Sequence, residues 1–207
     1  SEGPTDRATV ALELNPDNTI TKFATWQELG QGGDIGSLMV TLEALKPMGV
    51  TPDRIRLVQS DTKLCADSGM SAGSRSHFMN GGATINAAEK LMKAMLKADG
   101  TYRTYDEMVK EGIPTKYEGQ YLTAVLKGLC RLDPNTGIGD PHPAYTYILN
   151  LAEVEVDTKT GKTRVIRFTC VDEVGKVGNI DAVNGQAYGG ISHSIGFALS
   201  ENYDDVK

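Results

Sequence analysis

"TVALELNPDNTITKFATWQELGQGGDIGSLMVTLEAL", Thr9 to Leu45, changes its pattern several times in one run. Val10, Leu12 and Leu14 alternate with Thr9, Ala11 and Glu13, the two-residue period of a half-buried strand. Asn15-Pro16-Asp17-Asn18 carries turn chemistry, and Ile20 to Thr25 reads as the return strand of a hairpin. Then Gly30, Gly32, Gly33 and Gly36 leave the backbone nearly bare. Ile35, Leu38, Leu42 and Leu45 follow at helical spacing, and Pro47 and Gly49 stop the helix.

A helix start leaves backbone N–H groups unpaired and carries roughly half a positive charge. Glycine lets a ligand approach that backbone and permits positive φ. Together these make an anion site without lysine or arginine. A tight connection is the plain alternative for any one such loop. "GQGGDIGS" matches neither the P-loop, whose lysine it lacks, nor G-x-G-x-x-G.

The pattern recurs further along the chain. "RIRLVQS" is a short strand; "SGMSAGSRS" is rich in small residues, and a helix follows with Ile85, Ala88, Met92 and Met95 on one stripe. Ser68, Ser71, Ser74 and Ser76 offer hydroxyl donors in this second loop. Arg75 is its one formal cation, either a phosphate grip or a solvated side chain. Thr104 and Glu107 in "TYDEMVKEG" predict a capping box on a short helix. Residues 113–144 show no clean period. "TYILNLAEVEVDTKTGKTRVIRFTCVDEV" predicts a hairpin turning at Thr160-Gly161-Lys162. A third small-residue loop then precedes a stripe of Ile191, Ile195 and Leu199. The strands come in hairpins rather than between every helix, so the fold class is α+β: hairpin strands alternating with helices, with Gly/Ser-rich loops at helix N-termini.

The chain has 207 residues, enough for one large domain or two subdomains at about 1–100 and 101–207. Its net charge of -6 and lack of a basic stripe argue against nucleic acid. No apolar run approaches the roughly 20 residues of a membrane span, and no signal peptide is visible. Cys65, Cys130 and Cys170 are widely spaced with no CxxC, which predicts reduced thiols and a cytoplasmic protein rather than disulfides or zinc. His142, between two prolines, is expected in an exposed turn. The start at Ser1 and the close on "SENYDDVK" suggest a piece of a longer protein.

Three ordered motifs together resemble the molybdopterin-binding part of the xanthine oxidase family: "TWQELGQGGDIGS", "DSGMSAGSRSHFMNGGATI" and "GQAYGGISHSIGFAL". The likeness is nearest to the bacterial aldehyde oxidoreductases that carry molybdopterin cytosine dinucleotide, and "DEMVKEGIPTKY" and "LDPNTGIGDP" share it. The resemblance implies that Gln31, Gly32 and Gly33 line the pterin or dinucleotide. It implies that Ser71, Ala72, Gly73, Ser74 and Arg75 donate hydrogen bonds to the phosphates. Gln186, Ala187, Tyr188, Gly189 and Gly190 would hold the pterin side. Family molybdenum is held by the pterin dithiolene, so no protein metal ligands are expected.

The family's catalytic glutamate segment and its cysteine-rich iron–sulfur domains are not among these motifs. No catalytic residue is therefore assigned, and the isolated chain is expected to be inactive. The parent would oxidise an aldehyde to a carboxylic acid with oxygen from water, with its remaining domains as partners and a homodimer as an option. Two other classes stay open: a stand-alone nucleotide or phosphate-binding module without catalysis, and a structural segment whose loops hold nothing.

Overall fold

The computed structural model describes residues 6–122, 131–140 and 145–202. The chain forms two compact units, Ser1–Gly128 and Leu129–Lys207. In the first, β1 (Arg7–Leu14) and β2 (Ile20–Ala24) make the expected antiparallel hairpin. Asn15 Nδ2 stiffens the turn by donating to Thr19 Oγ1 at 2.9 Å and Thr21 Oγ1 at 2.8 Å. α1 (Gly33–Ala44) crosses over to β3 (Ile55–Gln59), which runs parallel to β2. β4 (Lys116–Leu122) pairs antiparallel with the other edge of β1, giving the order β3-β2-β1-β4.

β4 lies in the segment where the sequence shows no period. Its inward positions are Tyr117, Gly119 and Tyr121, and a glycine in the middle of the buried row erases the hydrophobic alternation. The glycine is required there. α2 (Gly81–Met95) packs so closely on β4 that a Cβ at Gly119 would lie 2.2 Å from both the Ala83 carbonyl oxygen and the Ala87 nitrogen.

Alternate residues of β1 face the helices. Leu12 and Leu14 join Ile20, Leu45, Ile55, Leu91, Met95 and Met108 in the main core. Ala8 and Val10 join Ala24, Met79 and Ala83 at the other end. The expected stripes meet the core through Leu38, Leu42 and Leu45 and through Ala88, Met92 and Met95, and depart from it only at their first residues. Ile35 and Ile85 are about half exposed. α1 instead buries Gly33, Ser37 and Thr41, because the sheet beneath it presents Lys22, fully buried, whose Nζ donates to the Ser37 carbonyl at 3.3 Å. α2 buries small residues such as Ala83, Ala87 and Ala88, which permit its close approach to the sheet.

α3 (Tyr105–Lys110) carries the expected capping box. Thr104 Oγ1 accepts the Glu107 N–H, and Glu107 Oε2 accepts the Thr104 N–H at 2.7 Å. The Lys97 ammonium and then the Thr104 N–H draw the Glu107 carboxyl down to about 2.

The second unit holds a small hairpin, β5 (Arg131–Leu132) with β6 (Gly139–Asp140), and a long one, β7 (Tyr147–Val156) with β8 (Thr163–Glu173). The long hairpin turns through Asp157 to Lys162 as expected, with Gly161 at φ +73°. α4 (Ile180–Leu199) begins earlier than the sequence suggests. Asn179 Oδ1 caps it by accepting the Ala182 N–H at 3.0 Å. The segment expected as a third loop therefore lies inside the helix, since a good cap and a 20-residue run outweigh internal glycines at about 1 kcal/mol each. Cys130 and His142 lie outside the described residues. Among the described residues no helix is long and apolar enough to cross a membrane.

Candidate functional site

The loop between β2 and α1 and the loop before α2 meet side by side in the first unit. Gln27 joins them: its Oε1 accepts the Ser71 hydroxyl at 2.5 Å, and its Nε2 donates to the Gly69 carbonyl at 3.5 Å. Thr25 Oγ1 donates to the Ala66 carbonyl at 2.5 Å, and Asn80 Nδ2 donates to the Thr25 carbonyl at 3.5 Å. Beneath the contact, the buried Trp26 meets the exposed His77 edge to face, with ring centroids 5.9 Å apart.

The first loop is folded around a carboxylate. Glu28 Oε1 accepts the N–H groups of Gly30 at 2.7 Å and Gly32 at 3.1 Å, and Oε2 accepts that of Asp34 at 3.0 Å. Gly32 at φ +81° and Gly30 at φ +103° turn these amides toward the carboxylate. The amides, Asp34 and Gly30 foremost, hold the Glu28 carboxyl below its usual range. The start of α1 is thus an anion site, as the bare backbone implies, and the chain's own Glu28 sits in it. Asp34 accepts from Gln59 Nε2, and Gly32 holds the cap position.

Gln31 turns back on the same loop. Its Oε1 accepts the Leu29 N–H at 2.6 Å and its Nε2 donates to the Gln27 carbonyl at 2.8 Å. Gly33 is buried with no room for a side chain: an added Cβ would meet Gln31 Nε2 at 2.9 Å and Trp26 Nε1 at 3.0 Å. Replacing Glu28 by glutamine is expected to raise amide exchange at Gly30, Gly32 and Asp34 roughly tenfold, since neutral acceptors hold N–H groups more weakly than carboxylates. The glycine loop alone should loosen in that hydrogen-exchange experiment; unchanged protection would refute the role given to Glu28.

In the second loop the four serines divide. Ser68 is fully buried and stitches the end of β1, donating to the Thr9 carbonyl at 2.7 Å and accepting the Thr9 N–H at 3.0 Å. It takes over where the β1–β2 ladder runs out. Ser71 and Ser76 share a 2.6 Å hydrogen bond. Ser74 is exposed in the left-handed region at φ +63°, beside Gly73 at φ +26°. A non-glycine residue held there is an uncommon conformation that clusters at ligand sites. The helix that follows opens with a wide π turn over Ser76–Asn80, also a frequent mark of functional sites. Ala72, Gly73 and Ser74 are all exposed at this helix start.

Gln186, Ala187, Tyr188, Gly189 and Gly190 lie within α4, with Tyr188 well exposed and open space where Gly189 and Gly190 would carry a Cβ. Gln27 and Glu28 are the site residues that motif reasoning passes over. Their signal is polar side chains directly preceding a glycine run that needs acceptors. Among the described residues no cluster of three or more His, Cys, Asp or Glu side chains is placed to hold a metal.

Comparison with known proteins gives a consistent result. The family model for the molybdopterin cofactor-binding domain matches residues 1–205. An aldehyde oxidoreductase of Megalodesulfovibrio gigas is 42% identical over 206 residues, 100% of this chain and 22% of that protein. The solved aldehyde oxidoreductase of Desulfovibrio gigas superposes with a TM-score of 0.91 at 41% identity, covering 98% of this chain and 22% of that one. That of Desulfovibrio desulfuricans gives 0.86 at 39% identity, over 96% and 21%. The chain thus spans about a fifth of the length of these relatives. With its two joined glycine and serine loops, it belongs to the molybdopterin cofactor-binding domain family, within the xanthine oxidase group that its motifs resemble.

Proposed function

We propose that this chain binds the cytosine dinucleotide form of molybdopterin within a molybdenum-dependent aldehyde oxidoreductase. The observation that carries the reading is the joining of two bare-backbone loops on one unit, with Ser74 and Gly73 held at positive φ before a π turn. The second loop fits a polar, anionic ligand: the exposed backbone of Ala72 to Ser74, the Ser74 hydroxyl, and a glycine that admits close approach. In this reading Gln31, Gly32 and Gly33 line the pterin or dinucleotide, and the loop from Ser71 to Ser74 takes the phosphates. The high identity to an aldehyde oxidoreductase over the whole chain supports an aldehyde as the parent's substrate.

The bound cofactor supplies the oxidation of an aldehyde to an acid with oxygen from water. This chain's own part is to bind and orient it, and no residue here is assigned to move a proton. The same reading places the parent in the cytoplasm, as a homodimer whose iron–sulfur clusters sit in other domains.

Native mass spectrometry with CMP and CDP tests the nucleotide end of this reading. A one-to-one complex is expected, lost in Gly73→Val and Ser74→Val variants. No complex at millimolar nucleotide would overturn a preformed site in this chain. With an aldehyde and a dye acceptor, the chain is expected to show no turnover.

A further inference from the structure

We propose that Arg75 is a positioning residue: it holds the Gly69–Ser74 loop in shape through Asp6 and does not reach the ligand. The guanidinium is committed to the chain on three sides. Nε donates to Asp6 Oδ2 at 2.7 Å and Nη2 to Asp6 Oδ1 at 2.5 Å, a two-pronged pair. Nη2 also donates to the Arg7 carbonyl at 3.0 Å, and Nη1 to the Met70 carbonyl at 2.9 Å. One donor from Nε, two from Nη2 and one from Nη1 leave one of the five guanidinium N–H groups.

The loop is built around this side chain, which is 17% exposed. Gly69, at φ +74°, passes over it so tightly that an added Cβ would lie 2.8 Å from Nη2. Asp67 Oδ1 fixes that turn by accepting the Gly69 N–H at 2.8 Å. Arg75 thereby ties the first residues of β1 to the loop that ends in Gly73 and Ser74. Anion recognition at this loop falls to backbone amides and the Ser74 hydroxyl, whose placement depends on the Asp6–Arg75 pair.

Two measurements on the 207-residue chain decide this, with Asp6→Asn, Arg75→Gln, Arg75→Lys and the Asp6→Asn/Arg75→Gln double variant. The first is hydrogen exchange at residues 69–76 without ligand. All variants are expected to lose protection in this loop alike, and the double variant no more than either single one, because the pair acts as a unit. Lysine should not rescue, since it lacks the planar fork. Asp6→Glu, which keeps the carboxylate, should retain part of the protection. Protection unchanged by Asp6→Asn overturns the proposal.

The second measurement, which rests on the function proposed above, is CDP affinity by calorimetry at two salt concentrations. Asp6→Asn and Arg75→Gln should each weaken CDP about tenfold, non-additively, with the salt dependence of binding unchanged. A guanidinium that grips phosphate would behave otherwise: Asp6→Asn would bind CDP as well or better, Arg75→Lys would keep most of the affinity, and Arg75→Gln would flatten the salt dependence. That pattern sinks the positioning role. If the unaltered chain does not bind CDP, the functional reading fails, and exchange alone decides the role of Arg75.

Discussion

Replacing Lys22 by methionine is expected to stabilise the first unit and to remove a pH dependence from it. Lys22 sits in β2 between Leu12 and Leu57 of the neighbouring strands, under α1, and is fully buried. Its Nζ has the Ser37 carbonyl at 3.3 Å and the Trp26 ring centroid at 5.1 Å. Loss of hydration dominates, and the ammonium is pushed from 10.5 down to about 7. The folded pKa is below the unfolded one, so the unfolded chain holds the proton more tightly. The burden is absent above pH 10.5, grows as pH falls, and is complete below about 7.

At neutral pH this corresponds to roughly 4 kcal/mol against folding, less about 1 kcal/mol for the hydrogen bond that methionine gives up. Ser37 keeps the Thr41 hydroxyl, which donates to the same carbonyl at 2.7 Å. Urea unfolding between pH 6 and 10 would show stability rising with pH in the parent chain and a flatter, higher profile in the variant. Parallel profiles would show that Lys22 is charged in the fold.

Gly119→Ala should have the opposite effect. The new methyl group meets backbone on α2, the Ala83 carbonyl and the Ala87 nitrogen, and neither can rotate away. Strand and helix must separate, loosening the β1–β4 ladder and the packing of Leu91 and Met95. A loss of about 3 kcal/mol or more is expected, at the upper end for added volume in a packed core. Gly82→Ala is the control: its methyl would strike the Tyr121 ring at 2.4 Å, a side chain able to shift. The denaturant midpoint should fall much further for Gly119→Ala than for Gly82→Ala, and equal losses would contradict the backbone clash.

Much of the local structure was legible from residue pattern. The β1–β2 hairpin, the Thr104–Glu107 box and the β7–β8 hairpin depend on neighbours within a few residues, where alternation, turn chemistry and capping act directly. β4 was not legible, because its central inward residue is a glycine chosen by α2, which comes much earlier in the chain. On α1 the stripe holds at Leu38, Leu42 and Leu45 but not at Ile35, where a buried lysine on β2 calls for carbonyl and small polar groups at the start of the helix.

The sequence by itself determined the class of the protein and the presence of bare helix starts, since glycine runs and hydrophobic period are properties of short segments. Only the tertiary structure decided what fills and shapes those starts. The carboxylate of Glu28 lies in the first, and Asp6, far away in sequence, engages the cation of the second. A charge beside a glycine loop reads as a ligand contact until folding brings its counterpart from another strand, because pairing across the chain leaves no local pattern.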